Sequence, residues 1–319
     1  MAGKKTPMTM MSASRLPALL GLSKYQTPND ELQATINAIT GEVAENKQNE
    51  SMAWGDRLEH LILMETGKRL ELSDLMTEFE DAFYHPTLPL ACSLDGYADG
   101  RGQVIRTDED AGIFVIGAEQ ITLQGYGVLE AKLTAVQPEE IPALYRGPVQ
   151  LQAQMDIMQA KWGALSVLYQ GTQMRVFLFE PHAQTLETIK TAVLEFQNKL
   201  EKFRATGEID FYPPANSKDA DRMFPAADEN LAINLPARAE QLADQITAAK
   251  AAIEEAEGKR AEAETELKAM LGEASKGIVG KYEIRWPMRS YKATPEKIVP
   301  AKAAYTIRQS TLSIKEARQ

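Results

Sequence analysis

Up to Leu70 the apolar positions recur every three or four places; beyond it they begin to alternate. Ala13–Leu20 reads as a short helix that Ser12 or Ser14 can cap and Gly21 can stop. After the turn-prone KYQTPND, Leu32, Ile36 and Ile39 share one face of a helix over Asn29–Thr40. A third helix is expected over Ser51–Thr66, with Trp54, Leu58, Leu61, Ile62 and Glu65 at helical intervals and Gly67 as its stop. Strand patterns follow at 77–84, 89–98, 113–116 and 126–133, punctuated by Pro, Gly and Asp. Residues 148–163 return to helix with Pro148 near the start, 164–169 and 173–179 are strands around the turn QGTQ, and a long helix over 185–206 closes at Gly207.

This order predicts an α/β domain over residues 1–212, with a mixed central sheet flanked by helices. Residues 213–235, rich in Pro, Asp and Asn, read as a linker. The third segment, 236–319, opens on a coiled-coil-like helix: Leu242, Ile246, Ala249, Ile253, Ala256, Arg260, Ala263, Leu267 and Met270 alternate at spacings of four and three. Its partner is another copy, another helix of the same chain, or the preceding domain. A small β-rich tail follows, in GKYEIRWPMRSYKA and AYTIRQSTLSIKE.

Composition narrows the class. With 319 residues, 44% hydrophobic and 25% charged, the chain can bury more than one core and is of globular type. Cys92 is the single cysteine, so there is neither an intramolecular disulfide nor a four-thiolate cluster, and the reducing cytoplasm is the expected compartment. The apolar run near the N-terminus is broken by Ser12, Ser14, Arg15 and Pro17 and reads as part of the fold, and no stretch is apolar for long enough to span a membrane. The net charge of −10 argues against a nucleic-acid partner until its distribution is seen. Residues 274–319 hold ten Lys and Arg against three Glu, so the basic tail serves a strongly acidic body and is a candidate DNA or partner contact.

The chemistry starts from VLEAKLT. Side chains two apart on a strand leave on one face, so Glu130 and Lys132 stand together there. Asp95, in ACSLDGYADG, follows an apolar strand and precedes a turn at Gly96, which lets its carboxylate converge on the same point. Glu59, in WGDRLE on the third helix, would make a third acid. Hard cations such as Mg²⁺ take carboxylate and water oxygens, and three acids suffice for two ions in phosphodiester hydrolysis. A lysine beside them can orient a water and offset phosphate charge. Gln152 and Gln154 are two apart on a helix, so only one of them should reach the site.

In order, SASRLPALLGLSKYQTP, MAWGDRLE, HPTLPLACSLDG, VLEAK and PVQLQAQMDIM resemble the YqaJ-type phage recombination exonucleases, relatives of the phage lambda exonuclease within the PD-(D/E)xK nucleases. The resemblance covers roughly 12–205 and implies a restriction-endonuclease-like core. It also implies a Mg²⁺-dependent enzyme, with Mn²⁺ as a substitute, that digests one strand of linear double-stranded DNA from 5′ to 3′ and passes the 3′ tail to a phage single-strand annealing protein. By that resemblance Asp95 and Glu130 are principal metal ligands, with the Ala131 carbonyl as a further ligand, and Glu59 is the helix acid. Lys132 orients the water, Gln152 lies near it, and Ser14 and Ser93 sit near the terminal phosphate, with Arg15 and Gln154 as further DNA contacts. The family suggests a ring-like trimer.

Two features depart from that pattern. An insertion at 101–127 separates Asp95 from Glu130 and reads as an extra hairpin that reshapes DNA access, and Arg15 follows the matching serine where a 5′-phosphate arginine should precede it. A structure-specific or restriction-like endonuclease with the same centre is one alternative, and a DNA-binding recombination scaffold without turnover is another. Trp54 and Trp162 read as core residues, Cys92 as a small buried hydrophobe, and His60, His85 and His182 lack zinc-ligand spacing.

Overall fold

The computed structural model describes residues 6–42, 49–228 and 230–288. The chain divides into two compact units, Met1–Met223 and Phe224–Gln319.

In the first unit the expected helix at Ala13–Leu20 is a 3₁₀ turn, Ala13–Arg15, running into a single α-turn, α1 (Leu16–Leu19). Helix α2 (Pro28–Thr40) begins on a capping box in which Thr27 and Asp30 satisfy each other's backbone amides, and it ends on left-handed Gly41. Helix α3 runs Glu50–Arg69, past Gly67. That glycine is a packing position and not a stop: a Cβ there would come 3.2 Å from Leu75 Cδ2.

Strands β1 (Met11–Ser12), β3 (Phe83–Tyr84) and β4 (Leu90–Cys92) form a small sheet in the order β1-β4-β3. The central sheet has six strands: β2 (Ser73–Met76), β5 (Gly96–Asp99), β7 (Ile113–Val115), β9 (Tyr126–Thr134), β10 (Gly163–Tyr169) and β11 (Gln173–Phe179). Their order is β2-β5-β9-β10-β11-β7, with β9/β10 and β11/β7 parallel and the remaining pairs antiparallel. Helix α4 (Pro148–Met158) is shorter than 148–163 because Gln159 turns left-handed and releases the chain into β10. The next helix, α5 (Ala183–Thr206), packs with α4 on one face of the sheet, burying Val128, Leu165, Val167 and Phe177 against Ile189, Val193 and Phe196. On the other face α3 covers Leu129, Ala131, Ala164 and Val176 with Ile62 and Leu63. The mixed sheet flanked by helices is thus the architecture expected from the sequence.

Three local differences are informative. Of the expected strand 77–84 only β3, its last two residues, forms; β2 ends before it at Met76 and belongs to a different sheet, and the expected strand 89–98 is broken at 93–95 between β4 and β5. The insertion contributes a two-stranded ladder, β6 (Gln103–Arg106) with β8 (Gln120–Leu123), but between them it also supplies β7 to the edge of the central sheet. Trp162 is fully buried as expected, whereas Trp54 is 47% exposed, because α3 turns Ile62, Leu63 and Thr66 inward and leaves Trp54 and Leu61 outside.

Within 213–235, helix α6 (Ser217–Met223) is part of the first unit. Asp219 accepts from Thr27 Oγ1 at 2.9 Å, and Arg222 pairs with Asp30 at 2.6 Å, so this part of the stretch is docked on α2. The second unit contains α7 (Arg238–Leu271) and the hairpin β12 (Lys276–Val279) with β13 (Tyr282–Arg285). The expected strand at AYTIRQSTLSIKE, and most of the basic cluster, lie outside the described residues.

Candidate active site

The site is made by the register of two strands. β5 begins at Gly96, which pairs with Leu129, so Glu130–Thr134 of β9 run on beyond it and leave that edge of the strand open. Asp95, in the break before β5, takes the place of a strand neighbour: its Oδ2 accepts from the Ala131 amide at 2.9 Å. A strand residue directs its N–H and C=O toward the same neighbour, so the Ala131 carbonyl faces the same opening. Glu130 and Lys132 project from the α4 face of the sheet, and Glu59 reaches the opening from α3 on the other face. An open strand edge is the one place where side chains from both faces can meet.

The resulting cleft is about 530 Å³ and is lined by Glu59, Asp95, Glu130, Ala131 and Lys132 together with Ser14 and Ser93. Glu130 is fully buried; Lys132 Nζ pairs with its Oε1, and Gln154 Nε2 donates to its Oε2 at 2.7 Å and to the Ser93 carbonyl at 3.1 Å. Burial pushes the Asp95 carboxyl well above its ordinary range, and the neighbouring Glu130 pushes it the same way. Glu59 is raised as well, by burial and then by Glu130 and Asp56. Although burial opposes it, the Lys132 ammonium is pushed up to about 12 by Glu130 and Asp95. Cys92 beside the cleft is an inert hydrophobe, its thiol held up at about 12 by burial.

These features bear on a metal ion. Three acids facing one cation leave negative charge in excess, and every donor is a hard oxygen, the set that suits Mg²⁺. Among the described residues no three His, Cys, Asp or Glu side chains are gathered tightly enough to enclose an ion. Mg²⁺ does not need that; one or two carboxylates with waters and a substrate phosphate are its usual protein shell. Asp95, Glu130 and the Ala131 carbonyl fit that demand, with Glu59 at the cleft wall.

Three expected residues fall elsewhere. Gln152 turns away from the cleft: its Nε2 donates to the Glu180 carbonyl at 2.9 Å, and its Oε1 accepts from the His182 amide at 2.7 Å, tying α4 to the start of α5. Gln150 lines the cleft in its place, one helical turn before Gln154, so the i, i+4 pair and not the i, i+2 pair shares the productive face. Gln154 supports Glu130 from beneath and is fully buried, with no surface to offer DNA. Arg15 is spent inside the body: it pairs with buried Glu31, donates to the Met10 carbonyl at 3.1 Å and reaches Thr35 Oγ1 at 2.6 Å. Its work is to clamp the N-terminal segment onto α2, which holds Ser14 in the cleft wall. Ser12, Asp56 and Gln150 are cleft residues that pattern reading missed. For Gln150 the signal was its helical spacing from Gln154.

Residues 5–161 match the model of the YqaJ-like viral recombinase domain, a span that contains every acid of the cleft and Lys132. Over that span the chain is similar to the YqaJ-like viral recombinase domain. No curated protein matches the chain. Among solved structures, the alkaline exonuclease of Laribacter hongkongensis in complex with dAMP aligns at 17% identity over 61% of this chain and 90% of that one, with a TM-score of 0.45. A phage-related exonuclease from Haemophilus somnus aligns at 10% identity over 62% and 96%, also with a TM-score of 0.45. The YqaJ-like match stops at residue 161, so β10, β11, α5 and the whole second unit lie beyond it.

Proposed function

We propose that the YqaJ-like domain is a Mg²⁺-dependent deoxyribonuclease that digests one strand of linear double-stranded DNA from 5′ to 3′, leaving a 3′ tail for a single-strand annealing protein. The observation that carries this reading is the convergence of Asp95, Glu130, the Ala131 carbonyl and Lys132 on one open strand edge, with Glu59 opposite. Asp95, Glu130 and the Ala131 carbonyl would hold the ion, and Glu59 would share in a second. Bound there, Mg²⁺ supplies positive charge to the scissile phosphate and acidifies a water.

The chain's own residues do the rest. Lys132, now neutralising Glu130, sits where it can hold a water or a phosphate oxygen once that carboxylate is otherwise engaged. Gln150 takes the water-side role that Gln152 cannot, and Gln154 fixes the Glu130 carboxylate in its rotamer. Ser14 and Ser93 offer hydroxyls on the wall where a terminal phosphate would lie. Direction and end preference rest on the family resemblance alone, since Arg15 is committed to Glu31. Digestion of linear duplex labelled at either end, with and without a 5′ phosphate, tests activity and direction together. Release of label from the 5′ end supports the proposal, whereas cutting of a closed circular duplex would identify an endonuclease instead.

A further inference from the structure

Helix α7 is 34 residues long and buries none of them. Among the described residues its apolar stripe is uncovered: Ile253 is 59% exposed, Leu242 43% and Leu267 37%. The hairpin after it leaves the stripe clear, since Trp286 lies over Lys268, one place outside the seam, at 5.7 Å. The two heptad positions that make the stripe differ in size. One holds Ile246, Ile253, Arg260 and Leu267; the other is alanine at 249, 256 and 263.

That asymmetry decides between arrangements. In a parallel pair each position meets its own copy, so Arg260 stacks on Arg260 and three alanine layers are left hollow. In an antiparallel pair the bulky position meets the small one, and facing layers interdigitate as well-packed cores require. We propose that α7 pairs antiparallel with α7 of a second copy of this chain, centred between Glu254 and Glu255. This centre is also the midpoint of Arg238–Leu271, so the whole helix takes part, over about 50 Å at 1.5 Å per residue. It sets Ile253 on Ala256 of the second copy, Ile246 on Ala263 and Arg260 on Ala249, with Leu242 meeting Leu267. The same alignment brings Lys250 opposite Glu257 at the flanking positions, twice by symmetry, which is the charge complementarity that selects orientation in coiled coils.

The test uses the full chain with Cys92→Ala as background, in two versions, Leu242→Cys and Leu267→Cys. The two sites lie about 37 Å apart along one helix. Under mild oxidation the mixture should give a cross-linked heterodimer while neither version alone links to itself. Self-linking of either version would show a parallel pair, and no linking at all would show that α7 does not pair with its copy; both outcomes overturn the proposal. In parallel, Ile253→Asp should weaken self-association of the full chain about 100-fold by sedimentation, whereas Glu254→Gln, facing outward, should leave it unchanged. An Ile253→Asp chain that associates as before would also overturn it. α7 lies outside residues 5–161, so loss of pairing and loss of digestion are separable readouts.

Discussion

Gly127, three residues before Glu130 on β9, faces the ring of Trp162 so closely that a methyl group there would lie 2.2, 2.3 and 2.5 Å from three indole atoms. Ordinary carbon contacts are about 3.5–4 Å, so Gly127→Ala demands that ring and strand part by more than 1 Å. Neither can yield cheaply. Trp162 is fully buried, and its Nε1–H donates to the Gly125 carbonyl at 3.0 Å. Overpacking of this kind costs about 1–3 kcal/mol, and losing the indole hydrogen bond adds about 1 kcal/mol. A total near 3 kcal/mol is a large share of the roughly 5–15 kcal/mol that stabilises a domain. For a body of this size it corresponds to a fall in Tm of about 6–12 °C. Calorimetry of the full chain, following the transition of the first unit, reads it directly. Gly125→Ala is the control, because nothing stands within 4 Å of its Cβ and its penalty comes only from its left-handed φ of +67°. A Gly127→Ala protein that melts within 2 °C of the parent would refute the idea that this contact fixes the strand carrying Glu130 and Lys132.

Other outcomes follow from the same geometry. Lys132→Ala should abolish digestion of linear duplex while the protein remains folded at the assay temperature, as circular dichroism would show; near-normal activity would remove Lys132 from the mechanism. Gln150→Ala should slow turnover by about 10–100-fold with little change in stability, whereas Gln152→Ala should cost about 1–2 kcal/mol of stability and leave turnover nearly intact, as denaturant melts beside digestion rates would show. Arg15→Ala should destabilise the body by about 3–5 kcal/mol, because it strands Glu31 as an unpaired buried acid; a variant of parental stability that fails only on 5′-phosphorylated ends would return Arg15 to the DNA. Burial raises the Asp30 carboxyl, but the hydrogen bonds from Arg222 and Thr27 outweigh it and hold the group below its ordinary 3.8. That contribution is fully present above about pH 4 and is lost as pH falls through the lowered value, so the stability gap between parent and Arg222→Met should close on acidification.

How far the sequence could be read is clearest in β9 and α3. The two-residue repeat of a strand was enough to put Glu130 and Lys132 together, and the glycine after Asp95 marked a strand end there, although Gly96 opens β5 and is not a turn. The break at 93–95, which sends the chain from one sheet to another, left no mark in hydropathy because apolar residues stand on both sides of it. In α3 the helical period was right and the buried stripe was wrong. Ile62, Leu63, Thr66 and Gly67 are inside, and two of them are a threonine and a glycine that no apolar pattern would mark. Thr66 is buried because its hydroxyl donates to Ser166 Oγ at 2.6 Å, a partner 100 residues away. The glutamine assignment failed for a related reason: periodicity tells which side chains share a face, and only the packing of α4 on β9 tells which face that is.

The pairing of Gly96 with Leu129 has one more consequence. From that rung β5 runs away from the acids to Asp99, the insertion departs, and the chain returns at Tyr126 on the same far rung. The long excursion thus opens and closes at the end of the ladder remote from the cleft, and the 2.9 Å hydrogen bond from the Ala131 amide to Asp95 Oδ2 is set by the β5/β9 register at the other end. The site is a property of local register and not of loop length, which leaves that segment open to insertion, tagging or a nick at its exposed residues 107–110 without moving a carboxylate.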